Sequence, residues 1–128
     1  MAYTVLIVDD SKLARMALIK ALNASYPDWA RVEASSAAEA LQAMAKSEPH
    51  VALVDFNMPV QDGLHLAADL LRIRPRMPLA IVSANHQQEV INRTQALGAT
   101  FLAKPIAERD LTEFLRCAAL ELGGTLRE

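Results

Sequence analysis

Apolar positions along the chain follow two alternating rhythms. Short runs with strand character occur at 3–8 (YTVLIV), 30–35 (ARVEAS), 50–55 (HVALVD), 78–83 (PLAIVS) and 100–104 (TFLAK). The first, third and fourth runs are almost wholly apolar, as strands covered on both faces are. Between the runs, apolar residues recur at helical spacing. Over 12–24, Ala14, Ala17, Leu18, Ala21 and Leu22 share one face. Ser36, with Glu39 three residues on, predicts a capping box that opens a helix running to about Ala45. A third helix is predicted from Gly63 to Ile73, ending before Pro75. A fourth starts after Asn85 and stops at Gly98, a residue suited to a left-handed C-cap. The last begins near Glu108 and turns Leu111, Phe114, Leu115, Ala118 and Leu122 inward.

Five strands alternating with five helices predict an α/β fold with a parallel sheet, because parallel neighbours need crossover connections and helices supply them. A chain of 128 residues accommodates one such domain. We read residues 1–122 as that domain and 123–128 as a C-terminal tail or the start of a linker.

Composition narrows the picture. The chain is 52% hydrophobic but only 5% aromatic, so its core must be built largely from Ala, Leu, Val and Ile. Thirteen basic against fifteen acidic residues give a net charge of -2, which argues against direct binding to a nucleic-acid backbone. A single cysteine, Cys117, excludes an internal disulfide and fits a reducing compartment. The first apolar run is too short for a signal peptide, and no segment reaches the roughly 20 apolar residues of a membrane span. The expectation is a soluble, cytoplasmic protein with no membrane partner.

The chemistry lies at the strand ends. In open parallel sheets, sites form beyond the carboxyl ends of the strands. Here the first strand ends in Asp9 and Asp10, the third in Asp55, the fourth in Ser83 and the fifth in Lys104 and Pro105. Three carboxylates on one edge repel one another. A hard divalent cation such as magnesium resolves that repulsion, since it takes a few carboxylates together with water and phosphate oxygens. With the cation of Lys104 and the hydroxyl of Ser83, these are the parts needed to hold a phosphoryl group.

In these residues the sequence resembles the receiver domain of two-component response regulators, including the single-domain chemotaxis type. The acidic pair in VLIVDDS, Asp55 in LVDFNMPVQDG, Ser83 in IVSAN and the KP at 104–105 carry the resemblance, in order and each at a strand end. It spans residues 3 to about 122. It implies a flavodoxin-like, doubly wound sheet of strand order 2-1-3-4-5. It implies that Asp55 accepts a phosphoryl group from a histidine of a sensor histidine kinase or histidine phosphotransfer protein. Such a domain is a phosphoacceptor that takes part in its own phosphorylation and dephosphorylation, not a conventional enzyme. By the same resemblance Asp10 binds Mg2+ directly, Asp9 directly or through water, and Asp55 and the backbone carbonyl of Asn57 complete the protein ligands. Lys104 pairs with a phosphoryl oxygen, Ser83 bonds another, and a cis peptide bond precedes Pro105. Ser83 and Phe101 form the switch, where many relatives carry tyrosine at the aromatic position. The output is read by a target protein or output domain, or by a phosphorylation-dependent dimer, at the face of the fourth helix, fifth strand and fifth helix. Asn57 and Asn85 match positions that tune hydrolytic water.

Rival readings fare worse. An aspartyl phosphatase of the haloacid dehalogenase type carries a second aspartate two residues after the first, where this chain has Asn57. Its four glycines form neither of the usual nucleotide-binding loops. Leu13 and Met16 lie off the apolar stripe of the first helix, beside Asp10, and are candidates for contact with the phosphodonor. Cys117 is expected to be a small buried hydrophobe, and Met58-Pro59 and Asp62-Gly63 to shape the loop after Asp55. His50, His65 and His86 are scattered without metal-ligand spacing.

Overall fold

The structure, a computed structural model, describes residues 2–127. Its elements are β1 (Thr4–Val8), α1 (Lys12–Ser25), β2 (Ala30–Ala34), α2 (Ala37–Ser47), β3 (Val51–Asp55), α3 (Gly63–Ile73), β4 (Leu79–Ser83), α4 (Gln88–Ala96), β5 (Thr100–Ala103) and α5 (Glu108–Arg127). All five strands are parallel and lie in the order β2-β1-β3-β4-β5. The three nearly continuous apolar runs are the three central strands, buried on both faces, and the two mixed runs are the edges.

Alternate residues of each central strand feed opposite layers. Leu6, Val8, Ala52, Val54, Leu79 and Ile81 pack with α2 and α3. Val5, Ile7, Val51, Leu53, Ala80 and Val82 pack on the other face with α1 and α5. Burying each of the Leu, Ile and Val side chains among these stabilises the fold by about 1.5–3 kcal/mol. The result is a stiff sheet whose upper edge carries the polar residues. Val8 pairs with Val54 and Asp55 with Val82, so Asp9 and Asp55 stand level with one another.

Local chemistry explains the helix starts. Ser11 caps α1 by accepting the Ala14 N–H at 3.2 Å, and Asp62 caps α3 by accepting the His65 N–H at 2.9 Å. The capping box at α2 is only half formed. Ser36 Oγ accepts the Glu39 N–H at 3.1 Å, but the Glu39 carboxylate accepts from Ser35, whose N–H and Oγ approach at 2.7 and 2.8 Å. Ser35 offers two donors to one oxygen, which outcompetes the single N–H of Ser36. At the end of α4, Gly98 adopts φ +80, the left-handed cap that its position predicts.

Two expectations need correction. Cys117 is exposed, because Phe114, Leu115 and Ala118 are the residues of α5 that face the sheet and Cys117 falls on its outer flank beside Glu113. Ala17 is exposed too, since it lines a groove beside α1 instead of the core. The last helix, α5, extends to Arg127, since a glycine pair lowers helix propensity by about 1 kcal/mol per residue without by itself ending a helix. Among the described residues no helix is long and apolar enough to cross a membrane.

Candidate functional site

The strand ends bring four of the singled-out residues together. Asp9 follows β1, and its N–H continues the ladder to the Ala34 carbonyl at 3.1 Å. Its Oδ1 accepts the Ser11 N–H at 2.9 Å, and its Oδ2 accepts from Lys104 Nζ at 3.3 Å. The same ammonium donates to Asp55 Oδ1 at 2.9 Å. Asp9 and Asp55 are 2% and 5% exposed, whereas Asp10 is open to solvent. One carboxylate oxygen from each of the three acids lies within 4.8 Å of the others.

Burial pushes the Asp55 carboxyl above its ordinary range; the Lys104 ammonium draws it back, and the Asp9 charge raises it further. An N–H from Asn57 also favours the ionised form. For Lys104, burial alone would lower the proton affinity, but the bonds and charges of Asp55 and Asp9 carry it above the usual lysine value. Lysine therefore stands as the cation of an acidic pocket. Every buried side-chain nitrogen and oxygen among the described residues has a hydrogen-bond partner. The donors facing the pocket are all hard oxygens, two carboxylates buried and one open, a set that fits a divalent cation such as magnesium.

The loop after Asp55 is packed against its backbone. Phe56 N–H reaches the Val82 carbonyl at 2.9 Å, and Gly63 N–H returns to the Phe56 carbonyl at 2.8 Å. A Cβ on Gly63 would stand 2.1 Å from the Asp55 carbonyl oxygen, so only glycine fits. Asn57 is exposed, and Val60 sits at φ +76, a conformation that a β-branched residue rarely adopts.

Ser83 is fully buried at the end of β4. Its Oγ accepts the Asn85 N–H at 2.9 Å, so the hydroxyl is held in its own loop and not by Asp55 or Lys104. Lys104 N–H bonds the Ser83 carbonyl at 2.9 Å, and the Lys104–Pro105 peptide bond is cis. Phe101 is half-buried on β5, and its ring meets the edge of His86 with centroids 6.1 Å apart at 90°.

Two of the three histidines thus have work that spacing did not reveal. His86 touches the aromatic residue of β5. His50 Nδ1 accepts the Thr4 N–H at 3.0 Å across the far edge of the sheet. Sequence reading also passed over Arg15 and Glu33. Arg15 Nη1 donates to the Asp9 carbonyl at 2.6 Å, and its Nε to Glu33 Oε1 at 2.9 Å. The available signal was an arginine one turn into the helix that follows the acidic pair.

Comparison with known proteins agrees with this geometry. The family model described as response regulator receiver domain matches residues 5–116, and the chain belongs to that family. It is thus a receiver domain of two-component response regulators, a family of phosphorylation-dependent signalling. It is 36% identical over 118 residues to the positive alginate biosynthesis regulatory protein of Pseudomonas aeruginosa, covering 90% of this chain and 46% of that protein. It is also 36% identical over 128 residues to a protein-glutamate methylesterase/protein-glutamine glutaminase of Nitrosomonas europaea, covering 97% of this chain and 35% of that one. The chain therefore spans less than half the length of these two curated relatives. Among solved structures, Vibrio cholerae chemotaxis protein CheY4 superposes with a TM-score of 0.82 at 26% identity, covering 92% of this chain and 99% of that one. A CheY-like receiver domain protein from Methanospirillum hungatei JF-1 shares the fold, with a TM-score of 0.86 at 23% identity over 97% of this chain and 99% of that one.

Proposed function

We propose that Asp55 accepts a phosphoryl group from a phosphohistidine of a sensor histidine kinase or histidine phosphotransfer protein. The observation that carries this reading is a buried carboxylate at the tip of a central strand, held by Lys104 at 2.9 Å and crowded by Asp9. An Asp55 oxygen attacks phosphorus, the P–N bond breaks, and the imidazole nitrogen leaves with the electron pair. Asp9, Asp10, Asp55 and the backbone carbonyl of Asn57 are the residues that would hold Mg2+, which when bound offsets the charge on the phosphoryl oxygens. Lys104 shifts from Asp55 Oδ1 to a phosphoryl oxygen. Ser83 leaves the Asn85 N–H to donate to another.

Transmission follows from the same two groups. Ser83 and Lys104 are joined by a backbone hydrogen bond and flank β5, where Phe101 lies three residues before Lys104. Withdrawal of the Ser83 hydroxyl toward the phosphate opens room for the Phe101 ring, altering the face of α4, β5 and α5 that a target, an output domain or a second copy reads. The energy available is the difference in phosphate contacts between two conformations, a few kcal/mol at most.

The donor is met on the other side of the pocket. Leu13 and Met16 are 77% and 52% exposed at the start of α1. Beside them runs a groove of about 480 Å3 lined by Ala14, Ala17, Ala21, Ala84, Pro105 and Ile106, opening onto Asp9 and Lys104.

The test is incubation with acetyl phosphate and magnesium, followed by intact mass and peptide mapping. One phosphoryl group is expected, on Asp55, and none on Asp55→Ala or after magnesium is chelated. Undiminished labelling of Asp55→Ala would overturn the assignment.

A further inference from the structure

We infer that Arg15 is a positioning residue for the metal-binding acids: its guanidinium clamps the peptide joining Asp9 to Asp10 and so fixes the backbone from which the Asp10 carboxylate projects. The inference rests on the magnesium reading above and goes beyond it to a residue that touches neither the metal ligands' carboxylates nor the phosphoryl site.

The clamp has a definite geometry. Long side chains on a helix lean toward its N-terminus, so Arg15, in the first turn of α1, reaches back over the end of β1. Nη1 donates to the Asp9 carbonyl at 2.6 Å and Nε to Glu33 Oε1 at 2.9 Å, with the arginine side chain only 13% exposed. Glu33 stands on β2, and the Asp9 N–H bonds Ala34 next to it at 3.1 Å. Both sides of the Asp9 backbone are thereby tied to the edge strand, the N–H directly and the carbonyl through arginine.

The carbonyl of Asp9 belongs to the peptide plane from which Asp10 departs. Asp9's own carboxylate is held by Ser11 and Lys104, but no hydrogen bond or ion pair holds that of Asp10 among the described residues. Its reach into the acid cluster starts from the backbone, and that backbone is what Arg15 fixes. The planar fork matters because Nη1 and Nε hold their two acceptors in one fixed relative geometry, which the freely rotating ammonium of lysine does not impose. Glu33 neutralises the guanidinium, so the clamp adds little net positive charge beside a cation site. Groups that orient metal ligands typically change metal affinity by about 10–100-fold when removed.

The experiment is a direct magnesium titration by calorimetry or amide NMR on the parent, Arg15→Lys and Arg15→Met. Acetyl phosphate labelling is measured across magnesium concentration, and urea unfolding is measured without magnesium. Both variants should bind magnesium about tenfold more weakly. Their labelling rates at saturating magnesium should stay within about twofold of the parent, since Asp55, Lys104 and Ser83 are untouched. Glu33→Gln keeps an oxygen acceptor for Nε and should lose less affinity than Arg15→Lys. Parent-like magnesium affinity in both arginine variants overturns the inference, even if their stability falls, because that pattern is a packing role alone. Parent-like affinity in Arg15→Lys with a loss in Arg15→Met also overturns it, because charge and not the fork would then be what counts. A parent that binds no magnesium sinks the underlying metal reading instead, so the two failures are distinguishable.

Discussion

Replacing Gly63 by alanine puts one methyl group against the backbone of the phosphoacceptor strand. The added Cβ would lie 2.1 Å from the Asp55 carbonyl oxygen, 2.8 Å from its carbonyl carbon and 2.9 Å from Phe56 Cα. All three are main-chain atoms, so no rotamer change relieves the overlap. Reaching 3.0 Å from the oxygen requires a displacement of about 0.9 Å, in an interior packed as densely as an organic crystal. Overpacking of this kind costs about 1–3 kcal/mol. The opposite expectation is specific: at an unstrained helical position, glycine to alanine stabilises by about 0.4–1 kcal/mol. The sign of the change therefore decides between the two. With a urea m-value of about 2 kcal/mol/M, the clash lowers the midpoint by about 0.5–1.5 M. Displacing Asp55 by close to 1 Å should also slow labelling by acetyl phosphate about 100-fold, since attack geometry is lost at that scale. Urea melts followed by circular dichroism, with initial labelling rates on the same samples, provide both numbers. An alanine variant as stable as the parent and labelled at the same rate would refute the packing argument.

Three further outcomes are expected. Burial and the nearby Arg74 charge hold the His50 proton affinity below its ordinary value of 6.5, and only the neutral ring can accept the Thr4 N–H. Its contribution to stability is therefore complete above pH 6.5 and is lost as the pH falls below that value toward the folded-state one. Urea midpoints between about pH 7.5 and about pH 5.5 should fall more for the parent than for His50→Gln, and equal slopes would remove the role. Leu13→Glu should slow transfer from a cognate kinase about tenfold while leaving acetyl phosphate labelling intact, and unchanged transfer places donor contact elsewhere. His86→Ala removes an edge-to-face contact worth about 0.5–1.5 kcal/mol from the conformation seen here. It should favour the inward Phe101 ring about 2- to 12-fold without changing labelling, and side-chain NMR of Phe101 showing no shift would dismiss the contact as incidental.

The order of elements, the three central strands and the chemical character of the upper edge were legible along the chain. Continuous apolar runs mark strands covered on both faces, and β1, β3 and β4 are those strands because helices pack on each side of them. A carboxylate or a hydroxyl at the end of such a run has nowhere to go but the rim, so Asp9, Asp55 and Ser83 announced themselves by position, and Lys104 did so at the end of the mixed run of β5. Helix boundaries held where a side chain does the capping, at Ser11, Ser36 and Asp62.

What tertiary structure decided was everything that depends on register and on reach across the sheet. Lys104 bridges Asp9 and Asp55 over 95 and 49 positions of sequence, a contact made only because strand pairing sets β1, β3 and β5 at matched heights. Arg15 meets Glu33 because β2 pairs with β1 and sets Glu33 beside Ile7, within reach of the start of α1, and no local pattern distinguishes that arginine from a solvated one. Cys117 shares the helical period of its buried neighbours closely enough to pass for core, yet a small rotation of α5 against the sheet leaves it outside. Periodicity determines that a helix has a buried face; only packing against a particular neighbour determines which residues at its margin lie within it.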